Sequence, residues 1–316
     1  MNIRRSDMSC VIHIGLPKTG STALQDNLFA HTSGAYFGKI NNSYKNQDER
    51  TLIESILYQS NFSYCPDAQK VLLSRLAGAE HESRGILVSD EAFSVEGYMD
   101  QRVIAERLKE LFPGSLIMIV IRAQHDLCES MFLHYLRSSG ERRIKFDQWL
   151  EYSYGGTSKM PYRVNLDFSV LIKLYIQVFG RHNVKVIPYE LLFKDRSLDV
   201  GLLRSCGIQA GKQSMNRLLL GSANRRQTKK LQALVDIQNR LPVAISLAKA
   251  SRLFLPSSIR TSLYKWIHSG EFFESDFQRD SVSAGKIGNL CRLSNAWIAK
   301  EYSLPLRELG YSVPDD

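Results

Sequence analysis

Four short runs of the chain are apolar at nearly every position. They are VIHIG at 11–15, GILVS at 85–89, LIMIVI at 116–121 and NVKVI at 183–187. They lack polar alternation and are rich in Ile, Leu and Val, which predicts strands buried on both faces, as in a parallel sheet. Between them the apolar period lengthens to three and four residues. ALQDNLFA follows the first run, and DQRVIAERLKEL (100–111) runs up to Pro113-Gly114. Residues 124–138 and 166–179 have the same period, the latter closed by Gly180. These segments read as helices with ordinary stop signals. Strands alternating with helices predict a parallel sheet covered on both faces.

After about residue 195 the strand signal fades. A short helix is expected at 197–206, with Gly207 in the C-cap position. Further helices are expected at about 223–238, 243–254 and 258–267, with Pro242 and Pro256 as punctuation, and a last one at 281–301. The expected organisation is an α/β core over 1–210 and a helical, basic part over 211–316 packed on it. One continuous domain is the alternative.

Composition adds limits. The 316 residues are 44% hydrophobic and 23% charged, an ordinary globular balance that excludes collagen, long disordered tails and a disulfide scaffold. The net charge of +9 is unevenly placed. Residues 211–270 hold eleven basic side chains and one acid, Asp236, while the rest of the chain has 30 basic and 31 acidic groups. Such a segment suits an anionic partner, or serves as a solvated helix face. The five cysteines are widely spaced, with no zinc knuckle and no CxxC pair, as expected of free thiols in a reducing cytosol. MNIRRSDMSC lacks the apolar core of a signal peptide, and no run of about 18 apolar residues exists. The expected location is cytoplasmic.

The strongest chemical signal is VIHIGLPKTGSTALQDNLF at the first strand. A buried strand runs into Gly15, then a loop, then a helix beginning near Ser21. In such a turn backbone N–H groups converge and the helix adds the positive end of its dipole. Lys18 adds a full charge, and Thr19, Ser21 and Thr22 add hydroxyls. This predicts a site for a phosphate-like group. The loop departs from the ATP-binding pattern G-x-x-x-x-G-K-[ST]. Gly15 and Gly20 have the right spacing, but Ser21 stands where the lysine belongs and Lys18 has moved into the loop.

A second signal is LIMIVIRAQHDLCESMFLHYLRSSG. Arg122 ends a buried strand, and Ser130 follows on the next helix after seven intervening residues. An arginine at this edge faces the crevice where open α/β sheets bind ligands. With Ser130 it offers a fork and a hydroxyl for a second phosphate.

GLPKTGST resembles the 5′-phosphosulfate loop of sulfotransferases that use 3′-phosphoadenosine 5′-phosphosulfate (PAPS), and HIGLPKTGSTALQ is similar to bacterial carbohydrate-type members. The Arg122–Ser130 spacing resembles that family's 3′-phosphate element, with Ala123-Gln124 in place of its usual acid and proline. FGRHNVKVIPYELLFKD (179–195), containing Tyr189-Glu190, and SNAWIAKEYSLPLRELGY (294–311) extend the likeness. Segment 31–80 matches nothing in the family. The resemblance implies a P-loop-NTPase-like three-layer α/β fold, with a central parallel sheet and an additional C-terminal helical region. It also implies sulfuryl transfer from PAPS, without a metal, to a hydroxyl of a carbohydrate or glycolipid. Lys18 would contact the bridging oxygen, and Thr19, Gly20, Ser21 and Thr22 would hold the 5′-phosphate. Arg122 and Ser130 would hold the 3′-phosphate, with Arg225 or Arg226 in GSANRRQTKK closing over the donor.

The resemblance favours Glu91 as the base, because glycan-modifying members have a Glu after a comparable strand; Asp90, one residue earlier, and His13 are the alternatives. Asp90 and Glu91 follow the second apolar run and open onto the same crevice; His13 lies two residues before the loop. A Mg-ATP-dependent kinase or ATPase is the rival reading, because ILVSDE mimics a strand whose acid holds Mg²⁺. A relative that binds nucleotide or glycan without turnover is another. A nucleic-acid partner is not expected, since no zinc, homeodomain or RNP motif is present. LPVAISLAKASRLFLPSSIRTSLYKW (241–266) mixes apolar residues with cations alone. It reads either as core packing or as a peripheral contact with an anionic membrane at its inner face, where a lipid-linked glycan would be met. The oligomeric state is not readable.

Overall fold

The computed structural model describes residues 10–32, 34–81, 85–95, 100–138, 144–154, 165–193, 199–208 and 281–314. The basic helices expected between 223 and 267, the stretch 241–266 and Arg225 lie outside the described residues.

Five strands form one parallel sheet: β1 (Cys10–Gly15), β2 (Ala35–Gly38), β3 (Ile86–Ser89), β4 (Leu116–Ile121) and β5 (Val184–Pro188), in the order β2-β3-β1-β4-β5. All four expected strands are present. The fifth, β2, was not expected. AYFG is too short to show a period, and it pairs only with β3 at the sheet edge.

The helices are α1 (Ser21–Asn27), α2 (Gln47–Tyr58), α3 (Pro66–His81), α4 (Gln101–Leu111), α5 (Gln124–Ser138), α6 (Phe146–Tyr154), α7 (Phe168–Phe179), α8 (Tyr189–Leu192) and α9 (Val200–Ser205). A C-terminal helix spans Ser281–Tyr302. Successive strand residues point to opposite faces, so each strand feeds two cores. Ile12, Ile14, Ile117, Ile119 and Ile121 join the larger core with α2, α4, α7 and the C-terminal helix. Val11, Met118, Val120 and Ile187 join a smaller one with Leu24, Leu28 and Phe29 beside Leu192 and Leu203. The result is the expected three-layer α/β fold. Each such buried aliphatic side chain contributes about 1.5–3 kcal/mol relative to exposure.

Polar anchors fix how the layers meet. Arg107 of α4 donates to the carbonyls of Ser55, Ile56 and Gln59 and to Asn61 Oδ1, which closes the C-terminal end of α2. A cation there also complements the helix dipole. The C-terminal helix is tied to the sheet layer by a buried amide pair. Gln124 Nε2 donates to Asn295 Oδ1 at 2.8 Å, and Asn295 Nδ2 donates back to Gln124 Oε1 at 3.1 Å. Ser169 N–H adds a bond to Ser294 Oγ. This pairing gives a physical use to Gln124.

Candidate functional site

The connection from β1 runs to β2 on one side of β1, and the connection from β3 crosses to β4 on its other side. Ligands of open α/β sheets bind where strand order reverses in this way, outside the carboxyl ends of the strands. Gly15 at the end of β1 pairs with Val120, and His13 lies beside Ser89, so the loops after β1, β3 and β4 open side by side.

The first loop is a tight turn. The Thr19 N–H and hydroxyl both donate to Leu16 O, at 3.3 and 2.5 Å. Lys18 has φ 66° and Gly20 has φ 83°. A left-handed conformation at a side chain such as Lys18 costs about 1–2 kcal/mol. Two glycines are required for space. A Cβ on Gly15 would stand 2.2 Å from Ser21 Oγ and 2.6 Å from His13 Cε1, and one on Gly20 would strike the Phe193 ring at 2.7 Å. No side chain caps α1, whose N-cap is Gly20. Thr22 is half-buried there.

Glu91 follows β3 at the start of a 3-10 turn. Burial raises its pKa above the ordinary carboxylate value, and the neighbouring Asp90 charge adds to this. Lys18, a hydrogen bond from Ser21 and Lys39 pull the other way. Ser21 thus stands where an ATP-binding lysine would be, close enough to Glu91 to lower its pKa. Asp90 is committed elsewhere. Its Oδ1 accepts from Ala92 N–H at 2.9 Å, while Oδ2 accepts from Tyr44 OH at 2.7 Å and pairs with Lys39 Nζ at 3.3 Å. Of the two acids, Glu91 is the one placed with Lys18 and the loop.

His13 is fully buried beneath the loop. Its Nδ1 lies 2.8 Å from Ser89 Oγ, which also accepts from Gln25 Nε2 at 3.0 Å. Its Nε2 is sealed without a hydrogen-bond partner, and the ring meets Phe29 edge-on. Burial drives its pKa down to about 3, so it is neutral at physiological pH. These surroundings fit a packed support for Gly15 and Ser21 rather than a group in contact with an acceptor.

Arg122 reaches back across the crevice. Its Nη1 donates to Lys18 O at 3.0 Å, and the guanidinium stands 4.9 Å from the centre of the Tyr189 ring. Glu190, next along α8, accepts from Ala123 N–H at 3.0 Å and from Tyr311 OH at 2.9 Å. Burial raises the Glu190 pKa, against these bonds and the nearby Arg122 charge. Ser130 is half-buried further along α5. Among the described residues no group of His, Cys, Asp and Glu side chains is arranged to hold a metal, and no helix is long and apolar enough to cross a membrane.

The structure therefore gathers Lys18, Thr19, Gly20, Ser21, Glu91 and Arg122 around one loop, with His13 below it. The roles of Glu190 and Tyr311 in this network were not read from the sequence. The available signal was that Tyr189-Glu190 follows β5 as Arg122 follows the adjacent β4.

One solved fold that resembles this one is a sulfotransferase from Alicyclobacillus acidocaldarius. The identity is 19%, over 65% of this chain and 84% of that chain, with a TM-score of 0.43. The chain matches no protein-family model and no curated protein sequence.

Proposed function

We propose that the protein transfers the sulfuryl group of PAPS to a hydroxyl of a carbohydrate or glycolipid. The observation that carries this reading is the convergence of Lys18, Ser21, Glu91 and Arg122 outside the carboxyl ends of β1, β3 and β4. Two positions speak against the Mg-ATP reading. Ser21, in the place of the ATP-binding lysine, carries no charge and acts only to lower the pKa of the neighbouring Glu91. Asp90, in the place of a Mg²⁺-holding acid, is engaged by Ala92, Tyr44 and Lys39.

In the proposed reaction the 5′-phosphosulfate occupies the loop at 15–22, and Arg122 and Ser130 take the 3′-phosphate. Glu91 accepts the proton of the acceptor hydroxyl. That oxygen forms a bond to sulfur as the bond from sulfur to the bridging oxygen breaks. The leaving oxygen gains charge, which the Lys18 ammonium offsets. The products are a sulfate ester, adenosine 3′,5′-bisphosphate and a protonated Glu91. As in phosphoryl transfer, positioning and electrostatics supply most of the acceleration.

Thermal unfolding tests the reading. Adenosine 3′,5′-bisphosphate without Mg²⁺ is expected to stabilise the fold by about 2.7 kcal/mol at a hundred times its Kd. Stabilisation by Mg-ATP alone would favour the kinase. Radiolabelled PAPS incubated with a glycan and glycolipid library then identifies the acceptor. Lys18→Ala should lower turnover by roughly 10²–10³.

A further inference from the structure

Arg122 does something besides facing a second anion. Its Nη1 holds the carbonyl of Lys18, the loop residue with φ 66°. The guanidinium is itself fixed by the Tyr189 ring on one side and by the Glu190 charge nearby. Glu190 is pinned in turn by Ala123 N–H from the β4–α5 connection and by Tyr311 OH from the C-terminal tail. Nε of Arg122 is buried without a hydrogen-bond partner, so the head group is placed by these contacts at its other end.

We infer that Arg122 is a positioning residue for the phosphate loop: its bond to Lys18 O holds the loop in its binding shape and joins the two anion subsites into one unit. Lys18 cannot keep a left-handed backbone without compensation from its surroundings. The Arg122 bond supplies a charge-assisted partner at that residue. A guanidinium has several N–H donors in a fixed fork, so one can serve the loop while others serve a ligand. The consequence is specific. Losing the guanidinium should weaken ligands that carry only the 5′-phosphate, which never touch the second subsite. The identity of those ligands rests on the function proposed above.

The test compares Arg122→Gln with Ser130→Ala, a change confined to the second subsite. Hydrogen exchange is read first, in the ligand-free protein, on peptides covering residues 14–24. Arg122→Gln should speed exchange there by about tenfold while α4 (Gln101–Leu111) keeps wild-type protection, which separates loop release from general unfolding. Unchanged exchange at 14–24, or equal acceleration in α4, overturns the inference and leaves the proposed function standing. Calorimetric titration follows. Arg122→Gln should weaken adenosine 5′-monophosphate by about tenfold and adenosine 3′,5′-bisphosphate by more. Ser130→Ala should weaken only the bisphosphate. Wild-type affinity of Arg122→Gln for the monophosphate overturns the inference. If the wild-type protein binds neither nucleotide, the function reading falls, and the coupling of two phosphate subsites falls with it.

Discussion

His13 offers a direct test of how the site is supported. A histidine with its folded pKa depressed to about 3, against 6.5 when solvated, is neutral in the native state at every pH above about 4. Below pH 6.5 the unfolded chain takes up a proton that the folded chain refuses. The stability from this group is therefore fully present above pH 6.5 and is lost as pH falls toward 3. The slope is about 1.4 kcal/mol per pH unit for one proton, and the integrated loss between pH 7 and pH 5 is about 2 kcal/mol. Glu49, Glu91 and Glu190 act with the opposite sign, since burial raises their folded pKa values, so the wild-type slope is a balance. The informative quantity is the difference between wild type and His13→Gln. Urea unfolding at pH 5.0, 5.5, 6.0 and 7.0 should show the variant losing about 2 kcal/mol less than wild type over this range, whatever its starting stability. Equal pH slopes would mean that His13 titrates normally. It would then be accessible to protons, and the support role argued for it would be wrong.

Three further changes probe the site and its frame. Gly15→Ala forces a Cβ to within 2.2 Å of Ser21 Oγ and 2.6 Å of His13 Cε1. It should cost about 1–3 kcal/mol in denaturant unfolding and abolish detectable binding of adenosine 3′,5′-bisphosphate in calorimetry. Glu91→Gln should reduce transfer by about 10²–10⁴. In the wild type the acid limb of kcat should lie above the ordinary carboxylate range, because burial raises the Glu91 pKa. Ser21→Ala removes a hydrogen bond that lowers that pKa, so the limb should move to still higher pH; a limb that stays put argues for another base. Gln124→Leu leaves the buried Asn295 amide short of its partner and should destabilise by about 1–3 kcal/mol, with loosened exchange in the C-terminal helix.

Much of the framework was legible in the chain itself. VIHIG, GILVS, LIMIVI and NVKVI are continuous apolar runs because the strands they form are covered on both faces, and all four appear. Residues 124–138 form the helix expected from their spacing. The glycine loop was visible because most of its constraints are local: a Cβ on Gly15 would meet His13 and Ser21, Gly20 has a left-handed backbone, and a strand and a helix flank them. The edge strand β2 was hidden because four residues show no period.

What the tertiary structure decided are relations between residues far apart in the chain. Sequence placed Asp90 and Glu91 side by side, and only the family likeness favoured Glu91. Packing separates them: Tyr44 and Lys39, carried by the loop after β2, engage Asp90 and leave Glu91 with Lys18 and Ser21. His13 lies near the loop in sequence, but β1 turns its ring into the smaller core, where desolvation keeps it neutral. Arg122 was read as a contact for an anion, and only the fold brings Lys18 O within 3.0 Å of it and Tyr311 within reach of Glu190. Spacing within the chain sets which groups can line a strand edge. The sheet order and the two cores set which of those groups remain charged, buried or joined, because burial and hydrogen bonding depend on neighbours that local sequence does not contain.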